Sequence, residues 1–413
     1  MGMASAGLPV QGPAPDWLRK GMLALGLAIL FRVAFFLFLM VHPLTNELGE
    51  AISPLNKTVK SGDLSFYEST SAYFKQASLA DVVARYQEVV RQLEKPIHQV
   101  NWTLYWLSGP VFPGLLILFD YTDGHSLPLA LFYLFLSTVL AAGWLGWLAR
   151  QGIGLPWLLF FALLPAPVWY MATISTDELF AVVFLLFYLA YFGSGSRGAT
   201  SRIKVDHSLL VLILLVLMGL LRPNSISIII FVLLHQAVTR VDHKILCGWQ
   251  FAFIVVLLGM LGIYYLPYIL AALTISTTSS IFIVFGLPQE DYFHPGLLHF
   301  LPDSLNTLLS LMVLGLAKTC YFVGLRPSYS GQDLLVVLVR AAPGLVLLPG
   351  LLRLLVKGEG AVKLLVLLFY LPVLVGPAQD RYNLPIQPLL FFHGALFWRG
   401  LWNDALRLTK VNA

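Results

Sequence analysis

Residues 17–42 read WLRKGMLALGLAILFRVAFFLFLMVH. After Arg19 and Lys20 comes an apolar run over 22–42, about twenty residues long, enough to cross ~30 Å of hydrocarbon as a helix. No small-residue cleavage site follows it, so the run reads as a retained signal anchor. Working outward, apolar runs recur at 127–148, 155–172, 178–193, 208–221, 225–238, 249–270, 304–324, 333–356, 362–377 and 384–398. Hydrophobic residues make up 58% of the 413 and charged residues 11%, well below the ~25% of ordinary soluble domains. The bilayer is the solvent this composition demands. The fold class expected is an all-α polytopic membrane protein of about 10–12 transmembrane helices, forming a single integral membrane domain over 1–413 with no separate soluble domain. The net charge of +5 is carried by short basic clusters between spans, which points to topology signals and away from nucleic-acid binding. The two cysteines, Cys247 and Cys320, have no CxxC or metal spacing and read as packing residues.

Basic residues lie on the inside of membranes. Arg19 and Lys20 put the N-terminus in the cytoplasm, and Arg150, the Arg197–Lys204 cluster, Arg240 and Lys244 then fall inside, with Asp177-Glu178 outside. The tail with Arg399, Arg407 and Lys410 also asks for the inside, which requires an even number of spans where eleven runs are counted; the Ser/Thr-rich apolar stretch 274–288 is the candidate for the missing piece. Residues 43–125 become a long extracytoplasmic loop between the first span and the spans of 126–400. Within it, 64–94 reads as helical, and the aromatic run Trp102–Leu107, interrupted downstream by Pro110, Pro113 and Asp120, suits an interfacial helix better than a span. Two interfacial helices around a polar turn are expected.

Several residues carry candidate chemistry, each with a plainer alternative. Asp63 follows a glycine at the start of a helical run, with Tyr67 four residues on; it is a general base or an N-cap. Glu47 and Glu50, nearer the first span, are rival bases. Lys95, in Lys95-Pro96-Ile97-His98, holds a phosphate or snorkels to the headgroups. Asp177 and Glu178 position a donor or acceptor, or simply cap the span they begin. Arg222, in Arg222-Pro223-Asn224 between two short apolar runs, is too costly to face lipid and should face a polar cavity. Arg340 also lies inside an apolar run, where it pairs with a carboxylate or a carrier phosphate. Arg381 and Tyr382, ahead of the last span, donate to a phosphate or sugar, or anchor the interface. The nine histidines show no HExxH or paired spacing, so no metal site is expected. No GxSxG, P-loop or Rossmann fingerprint stands in a suitable context. Asn56-Lys57-Thr58 and Asn101-Trp102-Thr103 match the short glycosylation pattern.

In order, these features resemble the membrane-embedded GT-C glycosyltransferases that use polyprenyl-phosphate-linked sugars, in particular the lipid A aminoarabinose transferase and protein O-mannosyltransferase-like enzymes. The resemblance rests on Asp63-Leu64-Ser65-Phe66-Tyr67, on Lys95-Pro96 before Trp102, Tyr105 and Trp106, on Asp177 or Glu178, on Gly219-Leu220-Leu221-Arg222-Pro223, and on Arg381-Tyr382-Asn383-Leu384-Pro385-Ile386-Gln387-Pro388. It covers 22–398. Two features depart from it: Asp63 lies about twenty residues beyond the first span, and no large outer domain follows the last one.

The resemblance implies transfer of a sugar from a polyprenyl-phosphate donor to a hydroxyl of a lipid, glycan or protein, with inversion, on the extracytoplasmic face of a multi-pass bacterial inner-membrane protein. Asp63 would be the base; Lys95, Arg222 and Arg381 would hold the phosphate; Asp177, Glu178, Tyr67, His98 and Tyr382 would position donor and acceptor. The partners are the lipid-linked sugar, the bilayer and the acceptor. No cofactor is called for, and a divalent metal is left open. Two alternatives stand beside this reading: an O-antigen polymerase or ligase-type enzyme using lipid-linked saccharides, and a transporter or flippase, which should show internal repeats.

Overall fold

The structure, a computed structural model, describes residues 15–42, 44–45, 51–52, 62–92, 109–121, 126–164, 174–193, 201–239, 246, 248–277, 302–325, 334–375 and 380–411. Apart from a ribbon of two two-residue strands, β1 (Leu44–Thr45) and β2 (Ala51–Ile52), the regular elements of this part are helical. Three helical stretches are long and apolar enough to cross a membrane: Asp16–Phe38, Leu127–Arg150 and Gly248–Leu266. The chain is thus an all-α membrane protein in its described part.

Every apolar run of the sequence holds a helix. They are α1 (Asp16–Val41), α5 (Ser126–Arg150), α6 (Leu155–Ala162), α7 (Thr176–Gly193), α8 (Ser201–Leu221), α9 (Ser225–Val238), α10 (Gly248–Thr277), α11 (Asp303–Phe322), α12 (Leu334–Lys357), α13 (Gly360–Val375) and α14 (Gln387–Val411). The boundaries differ where polar residues prolong a helix. α8 begins at Ser201 rather than 208 and α14 runs on to Val411, since a helix in contact with water needs no apolar side chains to keep its backbone bonded. α10 extends through Thr277, into the Ser/Thr-rich stretch; 278–288 lies outside the described residues.

Pairwise contacts fix the helix directions. α1 and α5 are antiparallel, with Gly21 against Ala149 and Arg32 hydrogen-bonded to Ser137. α7 runs parallel to α5, because Tyr133 meets Ser175 and Gly143 meets Leu185. α8 and α10 are parallel as well, with Ser208 bonded to Gln250 and Gly219 to Tyr265. α12 and α14 cross backbone to backbone: a Cβ at Gly350 would collide with the Leu390 carbonyl, and one at Gly394 with that of Val346. Small residues of this kind let helices approach where lipid supplies no hydrophobic drive. The main core gathers Trp144, Phe184, Phe187, Phe231, Tyr265, Phe322 and Phe391, all nearly inaccessible.

Between α1 and α5 lie α2 (Gly62–Gln76), α3 (Leu79–Gln92) and α4 (Val111–Leu118). The spacing of apolar residues suggests one helix over 64–94, and the structure breaks it at Ala77-Ser78. The reason is local. The Ser78 hydroxyl accepts the Asp81 N–H at 3.3 Å, while the Asp81 carboxylate accepts the Ser78 N–H at 2.9 Å and its O–H at 2.6 Å. This reciprocal capping box starts a new helix. The bonds from Ser78 hold the Asp81 carboxyl below its ordinary value of 3.8. The cap is therefore in force above that value and is lost as the pH falls through the lower folded one. Ser78→Ala removes both hydroxyl bonds and keeps the backbone one, so it should loosen the start of α3 and weaken this acid dependence, read as pH-corrected amide exchange across 79–92; unchanged exchange would refute the cap.

α2 and α4 are tied by the Ser71 hydroxyl, which lies 3.1 Å from the Pro113 carbonyl. Tyr67, 4% exposed, packs edge-on to Phe112 at 4.7 Å. Around them a second small core joins Phe36 of α1, Leu116, Tyr121, Leu129, Tyr133 and Ile174. Lys75 and Asp120 add an exposed ion pair at 2.8 Å. α4 is ~12 Å long at 1.5 Å per residue, too short for a span. The aromatic run Trp102–Leu107 lies outside the described residues.

Candidate functional site

The site is built at the end of the bundle where α1 finishes, α5 and α7 begin, and α8 turns into α9. The turn Arg222-Pro223-Asn224 exists because Pro223 cannot continue α8; Ser225 closes it by donating its hydroxyl to the Arg222 carbonyl at 2.6 Å. Arg222 thereby stands at the negative end of α8, and Asp177 in the first turn of α7, at its positive end. Both positions favour the charge they hold.

The two side chains meet. Arg222 Nη1 lies 2.6 Å from Asp177 Oδ1, Nη2 donates to Oδ2 at 3.0 Å, and Nε donates to the Thr176 hydroxyl at 2.8 Å. The pair is buried, at 11% and 3% exposure. A two-pronged guanidinium–carboxylate contact of this kind fixes both orientation and charge balance. The Arg222 guanidinium also stands over the Tyr382 ring, 5.6 Å from its centroid. Tyr382 belongs to a 3-10 turn, Asp380–Asn383, held to the end of α11 by the Asn383 amide, which donates to the Phe322 carbonyl.

The link into α7 is strained. Ile174 has φ 48°, in the left-handed region, a rare backbone state for a β-branched residue. It is held there from two sides: its own side chain is buried in the second core, and Tyr133 donates its hydroxyl to the Ser175 carbonyl at 2.9 Å. Ser175 Oγ accepts the Asp177 N–H at 3.2 Å. Capping of the helix start thus falls to Ser175, whose hydroxyl also donates to Asp177 Oδ2 at 3.2 Å, so the carboxylate is shared between Ser175 and Arg222.

A second charged group lies alongside. Arg32, inside α1, is 3% exposed and donates to the Ser137 hydroxyl at 2.9 Å and to the carbonyls of Ala28 and Ala162 at 3.2 and 3.4 Å. Glu178, the neighbour of Asp177, is fully buried. The Ser137 hydroxyl and the Arg32 guanidinium are the polar groups that act on its carboxylate.

Gly109 brings the connection between α1 and α5 onto this end. Its φ is +123°, and a Cβ there would overlap the carbonyls of Leu220 and Leu221, the last two residues of α8 before Arg222.

Of the residues singled out from the sequence, the structure therefore joins Asp177, Arg222 and Tyr382 in one cluster, with Glu178 beside it and Tyr67 in the core that supports it. The cavity-facing role expected of Arg222 is refined: its first partner is a carboxylate. Asp63 is the second residue of α2, one turn ahead of Tyr67; its side chain is outside the description. Arg381 lies in the 3-10 turn and Arg340 in α12, likewise without described side chains. Glu47, Glu50, Asn56, Lys95, His98 and Asn101 lie outside the described residues. Among the described residues no group of three His, Cys, Asp or Glu could hold a metal. Arg32, Ser137, Tyr133, Thr176 and Gly109 join the site without having been singled out. Arg32 carries a legible signal, a charge within an apolar run; the others are ordinary residues in sequence. Compared with models of protein families, with curated proteins and with solved structures, the chain matches none.

Proposed function

We propose that this chain is a GT-C-type glycosyltransferase of about 10–12 spans, transferring a sugar from a polyprenyl-phosphate donor to a hydroxyl acceptor on the extracytoplasmic face of a bacterial inner membrane. The observation that carries the reading is the meeting of Asp177, Arg222 and Tyr382. The resemblance in sequence concerns only their order along the chain. A shared site needs them together in space, and their convergence supports it.

In the proposed reaction the Asp63 carboxylate takes the proton from the acceptor hydroxyl as its oxygen attacks the anomeric carbon. The bond from that carbon to the phosphate oxygen breaks, and polyprenyl phosphate leaves with the electron pair. One displacement inverts the anomeric configuration. Lys95 and Arg381 meet the charge that grows on the leaving phosphate. Arg222 contributes to the same field, and its charge is balanced by Asp177, so its main role is to fix the floor of the site. Tyr67 anchors the helix that carries Asp63, and His98 and Tyr382 line the approach.

Asp63→Asn should lower transfer in membranes by roughly 10²–10⁴-fold, the contribution of a general base, with protein level unchanged. The assay is mass analysis of glycolipids and surface glycans from cells with the active and the altered protein. Full activity in Asp63→Asn would remove the base assignment. Indifference at Asp63 combined with loss on substituting outer Arg or His residues would favour the polymerase or ligase reading.

A further inference from the structure

Arg353 is a cation set in the apolar run of α12. Among the described residues its guanidinium makes no hydrogen bond or ion pair, and its Nε is buried without a partner. His393 on α14 is in the same state, with Nδ1 buried and unpartnered. The two are brought together by the crossing of their helices. α12 and α14 touch backbone to backbone at Gly350 and Gly394. Arg353 stands one turn after the first glycine, His393 directly before the second, and the guanidinium acts on the imidazole. A charge inside an apolar helix is expensive and is normally paired.

Neither side chain is fully buried, so both are reached from the surface of the bundle. That surface is apolar: Leu352 and Val356, which flank Arg353, are exposed and face lipid in a membrane protein. The anion such an arginine meets is a lipid phosphate, with its apolar stem lying along the acyl chains. The place excludes the phosphate of the proposed transfer. Phe392, next to His393, packs on Trp147 at 5.4 Å, and Arg150, one turn further along α5, lies 4.8 Å over the Trp17 ring at the start of α1. Trp147 is ~20 Å along α5 from Tyr133, which touches the candidate site. The local charge selects for an anionic lipid. Lys357 follows Arg353 one turn later on the same side of α12, and Lys363 donates to the Val356 carbonyl at 3.0 Å. Glu359 is the carboxylate between them in sequence, so three cations stand against one anion.

We propose that Arg353 and His393, with Lys357 and Lys363 beside them, bind the phosphodiester of an anionic glycerophospholipid in the half of the bundle away from the Arg222–Asp177 pair. A guanidinium suits this ligand because its parallel N–H groups take two phosphate oxygens at once, and an imidazole N–H adds a further bond. Such a site does not depend on the chemistry proposed for the opposite end.

The full-length protein is purified in a polyoxyethylene detergent and stripped of lipid. Its thermal unfolding is followed on adding phosphatidylglycerol, phosphatidylcholine, undecaprenyl phosphate or inorganic phosphate. Phosphatidylglycerol should raise the unfolding temperature, and phosphatidylcholine and inorganic phosphate at the same concentration should not. Arg353→Met and His393→Leu should each need about tenfold more phosphatidylglycerol for the same rise. Arg353→Lys should fall between, since lysine keeps the charge and loses the two-pronged contact. Arg91→Gln, on the exposed side of α3, should leave the response unchanged. If Arg353→Met does not fold, Arg353→Lys and His393→Leu carry the comparison. Equal titrations in these variants and the unaltered protein would overturn the site, and so would no rise with any lipid. An equal rise with phosphatidylcholine or inorganic phosphate would overturn an anionic phospholipid as the ligand. A rise with undecaprenyl phosphate and none with phosphatidylglycerol would overturn it too, and give the pair to the carrier lipid. An equal loss in Arg91→Gln would reduce the effect to net charge and overturn the site.

Discussion

Asp177→Leu should destabilise the protein by about 3–5 kcal/mol, the cost of leaving a buried charge without its partner. Arg222→Met should cost a similar amount, because it strands the Asp177 carboxylate at 3% exposure. The double variant Asp177→Leu/Arg222→Met should lose much less than the sum. Two apolar side chains of similar volume replace a buried ion pair at little net cost. The measurement is a double-mutant cycle on the purified protein, unfolded by heat and by titration with a denaturing detergent. Additive losses would mean that the two residues do not act on each other, and the proposed site would lose its floor. The same cycle separates stability from function. The double variant should fold and yet fail to transfer sugar, since Arg222 no longer orients Thr176 or stands over Tyr382.

Gly109→Ala should be the most damaging alteration that adds a single methyl group. At φ +123° an alanine is strained, at about 1–3 kcal/mol. In addition, the methyl would overlap the Leu220 and Leu221 carbonyls, which belong to a helix backbone that cannot move aside cheaply. The segment leading into α4 should lift off the end of α8. Amide exchange should then rise together in 109–121 and in the turn around Arg222. Gly114→Ala provides the control, because a Cβ there meets nothing within 4 Å and alanine is the better helix former. Equal behaviour of the two variants would refute the contact.

Hydropathy makes much of this fold legible, and the reason is physical. In a bilayer the backbone must satisfy itself within each crossing segment, so an apolar run and a helix coincide. The runs at 127–148 and 249–270, for example, reappear as α5 and α10 with small changes of boundary. The break at Ala77-Ser78 is written in Ser78-x-x-Asp81, a polar signal that hydrophobic spacing passes over. The candidate site is legible only in part. Arg222 stands out because a charge beside a proline interrupts an apolar region, and Asp177 because it opens a span. Their union, 45 residues apart in the chain, depends on how α7 packs on α8, which no local pattern encodes. Arg32 shows the same limit from the other side. A run long enough to be a membrane anchor draws attention to its length, and the arginine inside it acquires meaning only when Ser137 and Glu178 arrive from other helices.

The side-by-side antiparallel arrangement of α1 and α5 has a consequence for how such a chain can diversify. The polypeptide leaves the bundle at the end of α1 and re-enters it one helix away, so the connection is a handle attached at both feet to the same shelf. Its length does not alter which way any later helix runs. Closing a longer handle costs little, about 0.6 kcal/mol for each doubling. Grafting a different connection between His42 and Ser126 should therefore leave the helix bundle standing. The points it must keep are Tyr67, Phe112 and Tyr121 in the small core and Gly109 against the end of α8. The chain thus separates an exchangeable cassette from a fixed chassis, with the Arg222–Asp177 pair on the chassis side of the seam.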